Sequence, residues 1–271
     1  MGTGDIEGEA PNVAPEDILA EAERRVQARR AADGPSSREE ARQRTALRLN
    51  QGVFWLAKHW VALFNGLILL YVAGAVAPAI LMHVGRTGLA GALHAVYRPF
   101  CHQYPFRSWF LFGSAAAHPL EQPISILEMN RLSRFVGDAE VGYKMALCQR
   151  DIAIYGMMFV GGLVYGLARR RWTIKPLPLW LYFLFGVMPM MLDGGVQWLS
   201  YAVWQFFPGL LAQPFETIPT LRTLTGSLFG LGVIAVGYPY MGEYFGDVAV
   251  TLEEKLSAIG CQRSAVSQTR K

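Results

Sequence analysis

Apolar residues gather in four long runs, at about 54–81, 152–168, 177–199 and 224–245, and charged residues crowd the segments between them. A helix needs about 20 apolar residues, each rising about 1.5 Å, to cross the hydrocarbon core of a bilayer. The first run is longer than this and predicts a helix that tilts or extends past the bilayer. Pro78 predicts a kink near its end. The second run is short and is closed by Arg169-Arg170-Arg171. The third is interrupted by Asp193-Gly194-Gly195, and the fourth carries Pro239 near its end. The pattern predicts an all-α polytopic membrane protein, with a transmembrane domain over 51–247 and a cytoplasmic tail over 248–271.

The remaining segments are of different kinds. Residues 1–14 are Gly-rich and acidic, with little to bury, and predict disorder. From Pro15 to Arg30 the composition suits an exposed helix, and Gly34-Pro35 predicts its stop. Ser37 with Glu40 forms a capping-box pattern for a second helix running toward Asn50. Between the first two spans lies a long loop, 85–150. Within it, 89–96 and 108–117 are apolar but too short to span, and predict interfacial or re-entrant helices. Residues 118–144 predict an irregular cap, and 202–211 a further surface piece. Gly162 with Gly166, and Gly226 with Gly230, have the spacing that lets helix backbones approach closely in lipid.

Charge sets the expected orientation. The chain is 52% hydrophobic and 17% charged, with net charge +4, against about 25% charged in ordinary soluble domains. Eight arginines fall between Arg24 and Arg48, four more cations between Arg169 and Lys175, and none between Ser200 and Leu221. Positive loops stay inside, so the expected topology has both termini cytoplasmic, in the plasma membrane of a prokaryotic cell, with loop 85–150 outside. The basic balance lacks interleaved aromatic residues, so no nucleic acid is expected as a partner. A charged leader of this length is also too long for the n-region of a cleaved signal peptide.

On this topology the unusual polar residues share one depth. Arg150, Asp151 and Tyr155 open the second span at its outer end, and Arg222 and Thr225 open the fourth. Asp193 lies about 24 Å into the third at 1.5 Å per residue, and Gln197 falls on the same face one turn on. With Arg107 from the loop, these eight residues form the candidate ligand-binding set. An ionisable residue within a span usually faces the bundle interior or a cavity; for Asp193 the alternative is an ion pair with Arg150 or Arg222. Three readings of Cys101 and Cys148 stay open: a disulfide closing the outer loop, a metal site with His102 as a further ligand, or a redox pair. Cys261 reads as a free thiol in the tail.

Cys101-His102-Gln103 with Pro105 and Arg107-Ser108, Cys148 with Arg150 and Ile154-Tyr155-Gly156, Pro189, Asp193-Gly194 with Gln197, and Arg222 with Thr225-Gly226 and Phe229-Gly230 occur in that order. Over about residues 95–240 the chain thereby resembles the prokaryotic predicted-membrane-protein family known as domain of unknown function 2085. In many members of that family a second cysteine comes after the Cys-x-Arg piece; here that position is Asp151. The resemblance implies a shared site and no particular chemistry. Three functions compete: binding or transport of a polar small molecule or lipid head group, a membrane redox or metal-dependent enzyme using Cys101, His102 and Cys148, and a structural subunit of a homo-oligomer or larger membrane complex.

Overall fold

The computed structural model describes residues 15–33, 37–120, 126–207 and 209–269. The expected disorder of 1–14, the helix stop at Gly34-Pro35 and the side chain of Cys261 fall outside the described residues. Two compact units are distinguished. Leu56–Val250 is one, and the segments flanking it are the other. In the flanking unit, α1 (Pro15–Asp33) and the first turns of α2 (Ser37–His83) are solvated helix. Exposed pairs one turn apart, Arg25 with Glu21 and Arg44 with Glu40, both at 2.9 Å, support them weakly.

Four helices among the described residues are long and apolar enough to cross a membrane: Arg38–His83, Gln149–Ala168, Leu179–Phe206 and Pro219–Ile259. They correspond to α2, to α5 (Gln149–Ala168), to the continuous run of α6 (Leu179–Tyr182), a π-helical stretch (Phe183–Val187) and α7 (Met188–Phe206), and to α8 (Pro219–Thr269). Their outer faces carry exposed Leu67, Leu70, Val164, Leu167 and Trp198. Contiguous apolar exposure of this kind is rare on soluble proteins and suits lipid.

Two clusters hold the spans together. Trp60, Val61, Tyr165, Ile234 and Tyr238 join α2, α5 and α8. Within that contact the hydroxyl of Tyr238 donates to Asn65 Oδ1 at 3.0 Å, and Gly162 makes room for the Asn65 amide: a Cβ there would lie 2.0 Å from Oδ1. Gly226 and Gly230 let α8 ride on the backbone of α5, since a Cβ on Gly230 would lie 2.3 Å from Ile154 O. The second cluster, Ala75, Tyr97, Cys101, Ala146 and Leu147, seats the long loop on α2.

That loop departs from expectation. Residues 89–96 lie within a helix, α3 (Thr87–Tyr97), but 108–117 form no helix. Instead β1 (Ser108–Leu111) pairs antiparallel with β3 (Gly142–Cys148), which also pairs with β2 (Gly137–Asp138). A short helix, α4 (Ile126–Leu132), lies between β1 and β2. The reason is local: Ser108-Trp109-Phe110-Leu111 is rich in aromatic residues that favour strands. In β3 buried and half-buried positions alternate from Gly142 to Ala146, with Lys144 occupying an inward position. Burial within 108–117 is confined to Ser108–Leu111, where it alternates with the period of a strand rather than a helix, and 112–116 are exposed. The register of the sheet places Ser108 opposite Cys148. It thus lays the Cys101–Ser108 segment beside the start of α5.

Candidate functional site

Cys148 ends β3 and caps α5: its sulfur accepts from the backbone N–H of Asp151 at 3.5 Å. Asp151 in the first helical turn complements the positive end of the helix dipole. Cys101 arrives from the loop after α3, where Gln103 takes a left-handed backbone conformation with φ 57°. A non-glycine residue holds that conformation only under local constraint. Here the constraint is reciprocal bonding to His94: Gln103 Nε2 donates to His94 O at 2.8 Å, and His94 Nδ1 lies 3.2 Å from Gln103 Oε1.

The two cysteines are free thiols. Their sulfurs and one Asp151 carboxylate oxygen all lie within 4.8 Å of one another. The Cys148 thiol has two acceptors for its single proton, Asp151 Oδ2 at 3.1 Å and Cys101. Hydrogen bonding with Cys148 draws Cys101 below the usual thiol range, and the same contact, with burial, pushes Cys148 up. His102 is exposed and stacks on Tyr104 with ring centroids 5.5 Å apart; it stands outside this trio.

These groups form one wall of a cavity of about 140 Å³, lined also by Gln103, Tyr104, Arg107, Arg150, Gln197 and Arg222. A neighbouring cleft of about 260 Å³ shares Tyr104, Arg107, Arg150 and Gln197 and continues to Trp198 and Tyr201. Six of the eight residues read from the sequence as a ligand set therefore divide simply. Arg107, Arg150, Asp151, Gln197 and Arg222 line the cavity, and Asp193 sits behind it, ion-paired with Arg150. The Arg150 guanidinium passes close to Gly194, where a Cβ would lie 3.2 Å from Nη1. Thr225 is buried with its hydroxyl 3.1 Å from Asp193 Oδ2 and 2.9 Å from Leu221 O. Tyr155 is not among the cavity-lining residues. It packs edge-on against Tyr71, with centroids 4.7 Å apart, and Tyr71 in turn packs edge-on against Phe100 of the cavity wall.

The residue that sequence reasoning missed is Glu216. Its carboxylate pairs with both Arg107 and Arg222 and accepts from Gln197 Nε2 and the Tyr201 hydroxyl, each at 2.5 Å. Arg222 continues the network to Phe106 O at 3.2 Å and Gln149 Oε1 at 3.5 Å, and Gln149 Nε2 donates to Ser108 O at 3.1 Å. Burial alone would lower the pKa of Arg107, but Glu216 outweighs it and holds the guanidinium charged. A signal was present: Glu216 is the lone charged residue between Asp193 and Arg222. A solitary acid in an otherwise neutral loop needs a partner.

Lys144 was also missed. It is fully buried and donates to Gln103 O at 2.6 Å and Ser133 O at 2.9 Å, and desolvation lowers its pKa to about 7.

Four apolar helices with a buried ionic cluster where they meet a folded loop define a polytopic membrane protein. Residues 140–236 match the family described as predicted membrane protein (DUF2085), which bears out the resemblance seen in the motifs. The matched segment takes in Cys148, Arg150, Asp193, Gln197 and Arg222, and starts after the Cys101–Ser108 piece. The chain is also 24% identical over 184 residues to an uncharacterized protein of Methanocaldococcus jannaschii, covering 66% of this chain and 90% of that one. No solved structure matches.

Proposed function

We propose that the protein binds a polar small molecule or lipid head group bearing a carboxylate or phosphate, in the cleft walled by Arg107, Arg150 and Arg222. In the topology expected from loop charge, the N-terminus is cytoplasmic and the cleft opens outward from a prokaryotic plasma membrane. One observation carries the reading: each of these three arginines has a buried Nε–H without a hydrogen-bond partner. A buried donor left unpaired costs about 1–3 kcal/mol, and three at one cavity suit an occupant rich in acceptor oxygens. The guanidinium fork matches such oxygens two at a time. Glu216 and Asp193 hold the forks in place through their other nitrogens and cancel two of the three charges, and the Asp151 carboxylate on the same cavity wall offsets the third. A singly charged anion or a zwitterion therefore suits the cleft better than a polyanion.

The test is thermal unfolding of the purified protein against inorganic phosphate and acetate, and in nanodiscs of phosphatidylglycerol against phosphatidylcholine. Stabilisation by the two free anions and by phosphatidylglycerol alike would define the shared chemistry, and stabilisation by the lipid alone would assign a head group. Arg107→Lys and Arg150→Lys keep the charge but lose the fork, and should abolish the effect. Equal stabilisation in both variants and the native protein overturns the reading.

A further inference from the structure

We infer that Cys101, Cys148 and Asp151 form a binding site for a thiophilic divalent cation of the zinc type, with its remaining coordination position open to the cavity. This goes beyond the anion reading and does not depend on it. Three ligand atoms from separate places in the chain lie within 4.8 Å of one another: one from the loop after α3, one from the end of β3 and one from the first turn of α5. No other group of three or more potential ligands among the described residues meets that condition. The distances suit the purpose, since sulfur sits about 2.3 Å and carboxylate oxygen about 2.0–2.2 Å from zinc. Tetrahedral ligands at those lengths stand about 3.5–3.8 Å apart, so a trio within 4.8 Å closes on one ion by shifts of about 1 Å or less.

The donor set selects the metal. Two thiolates exclude calcium and magnesium, which take oxygen ligands, and favour zinc over harder cations. Binding releases the two thiol protons to solvent, leaving two thiolates and one carboxylate around the dication. The surroundings are those of a metal site that holds its ligands in place. The backbone N–H of Asp151 already points at the Cys148 sulfur at 3.5 Å, and Cys101 is nine-tenths buried. Three protein ligands and one open position mark an exchangeable or reactive zinc site rather than a closed structural one. All three ligands line the same cavity as Arg107, Arg150 and Arg222. A water or an anionic ligand in that cavity therefore completes the coordination, in reach of the arginines.

The experiment uses the full-length protein in detergent, freed of any affinity tag, reduced and stripped with chelator, then titrated with Co²⁺. One Co²⁺ per chain with thiolate-to-cobalt charge-transfer absorption, displaced by Zn²⁺, is expected. Cys101→Ser and Cys148→Ser should each weaken that absorption, and the double variant should lack it. Asp151→Asn, nearly isosteric and folded by the same hydrogen bonds, should lower affinity by about tenfold or more, since even supporting partners of a metal are worth about 10- to 100-fold. Protein that gives no charge-transfer absorption after full reduction, whether it was purified as free thiols or as a Cys101–Cys148 disulfide, overturns the inference. Equal Co²⁺ affinity in native protein and the double cysteine variant overturns it as well.

Discussion

Lys144, on the inward side of β3, donates its buried ammonium to the backbone carbonyl of Gln103 at 2.6 Å. This ties the sheet to the one residue of the Cys-His-Gln segment whose backbone is left-handed. The bond couples the loop's conformation to a titration.

Burial lowers Lys144 from 10.5 to about 7 in the folded protein. Between those two values the unfolded chain binds more protons than the folded one, so stability rises with pH across that window and is lowest below it. Thermal unfolding of detergent-solubilised protein should therefore show a midpoint that climbs as pH rises from about 7 toward 10. Lys144→Met should flatten the climb. Near pH 10, where the folded-state amine is neutral, it should lower stability because the carbonyls of Gln103 and Ser133 lose their donor, at about 1–3 kcal/mol for each orphaned group. Below about 7 the removed cost of burying the charge offsets that loss.

His94 titrates in the opposite part of the range. Desolvation, then the charge of Lys144, lowers it from 6.5 to about 4. As pH falls from 6.5 the unfolded chain takes up a proton that the folded chain refuses, so stability is lost between 6.5 and 4. His94→Gln should reduce the slope of that acid limb in the same melting series. An unchanged limb would place the loss elsewhere.

Replacing Glu216 by Gln keeps the shape of the side chain and removes the charge shared by Arg107 and Arg222. Leaving buried arginines without their anion costs about 3–5 kcal/mol, and denaturant titration should show a loss of that order. If the cleft binds anions, the same variant should bind inorganic phosphate more tightly than native protein, because two guanidinium groups are released to it. Calorimetric titration measures this directly.

Gly230→Ala forces a Cβ to within 2.3 Å of Ile154 O. Backbone cannot yield as a side chain can, so a loss of about 1–3 kcal/mol is expected from overpacking. Gly237→Ala on the same helix meets nothing within 4 Å and should leave the melting temperature unchanged or slightly raised. Comparing the two isolates the α5–α8 contact from helix propensity.

Much of the site was legible in the chain itself, and the reasons are specific. Arg150, Asp151, Gln197 and Arg222 stand out because charged and amide groups at the ends of apolar helices have few places to go except each other. Asp193 was legible as an ion pair, but the choice of Arg150 over Arg222 was not. That choice follows from Glu216, which takes up Arg222 and leaves Asp193 to Arg150. Glu216 escaped because it sits in a loop, where no period exists to place it on a face. The strands escaped because β1 is four residues long and β3 seven, and short apolar runs read equally well as pieces of helix.

By itself the sequence determined that this chain crosses a membrane through four helices, and approximately where. A bilayer imposes a length and polarity requirement that each segment must meet alone, so hydropathy read along the chain is sufficient. Only the tertiary structure decided which charges neutralise which, and that Asp151 rather than His102 meets the two cysteines. Those outcomes rest on the register of a small sheet that sets Ser108 opposite Cys148, and on glycines that let α8 lie against α5. Contacts of this kind join residues distant in the chain, and no local pattern encodes them.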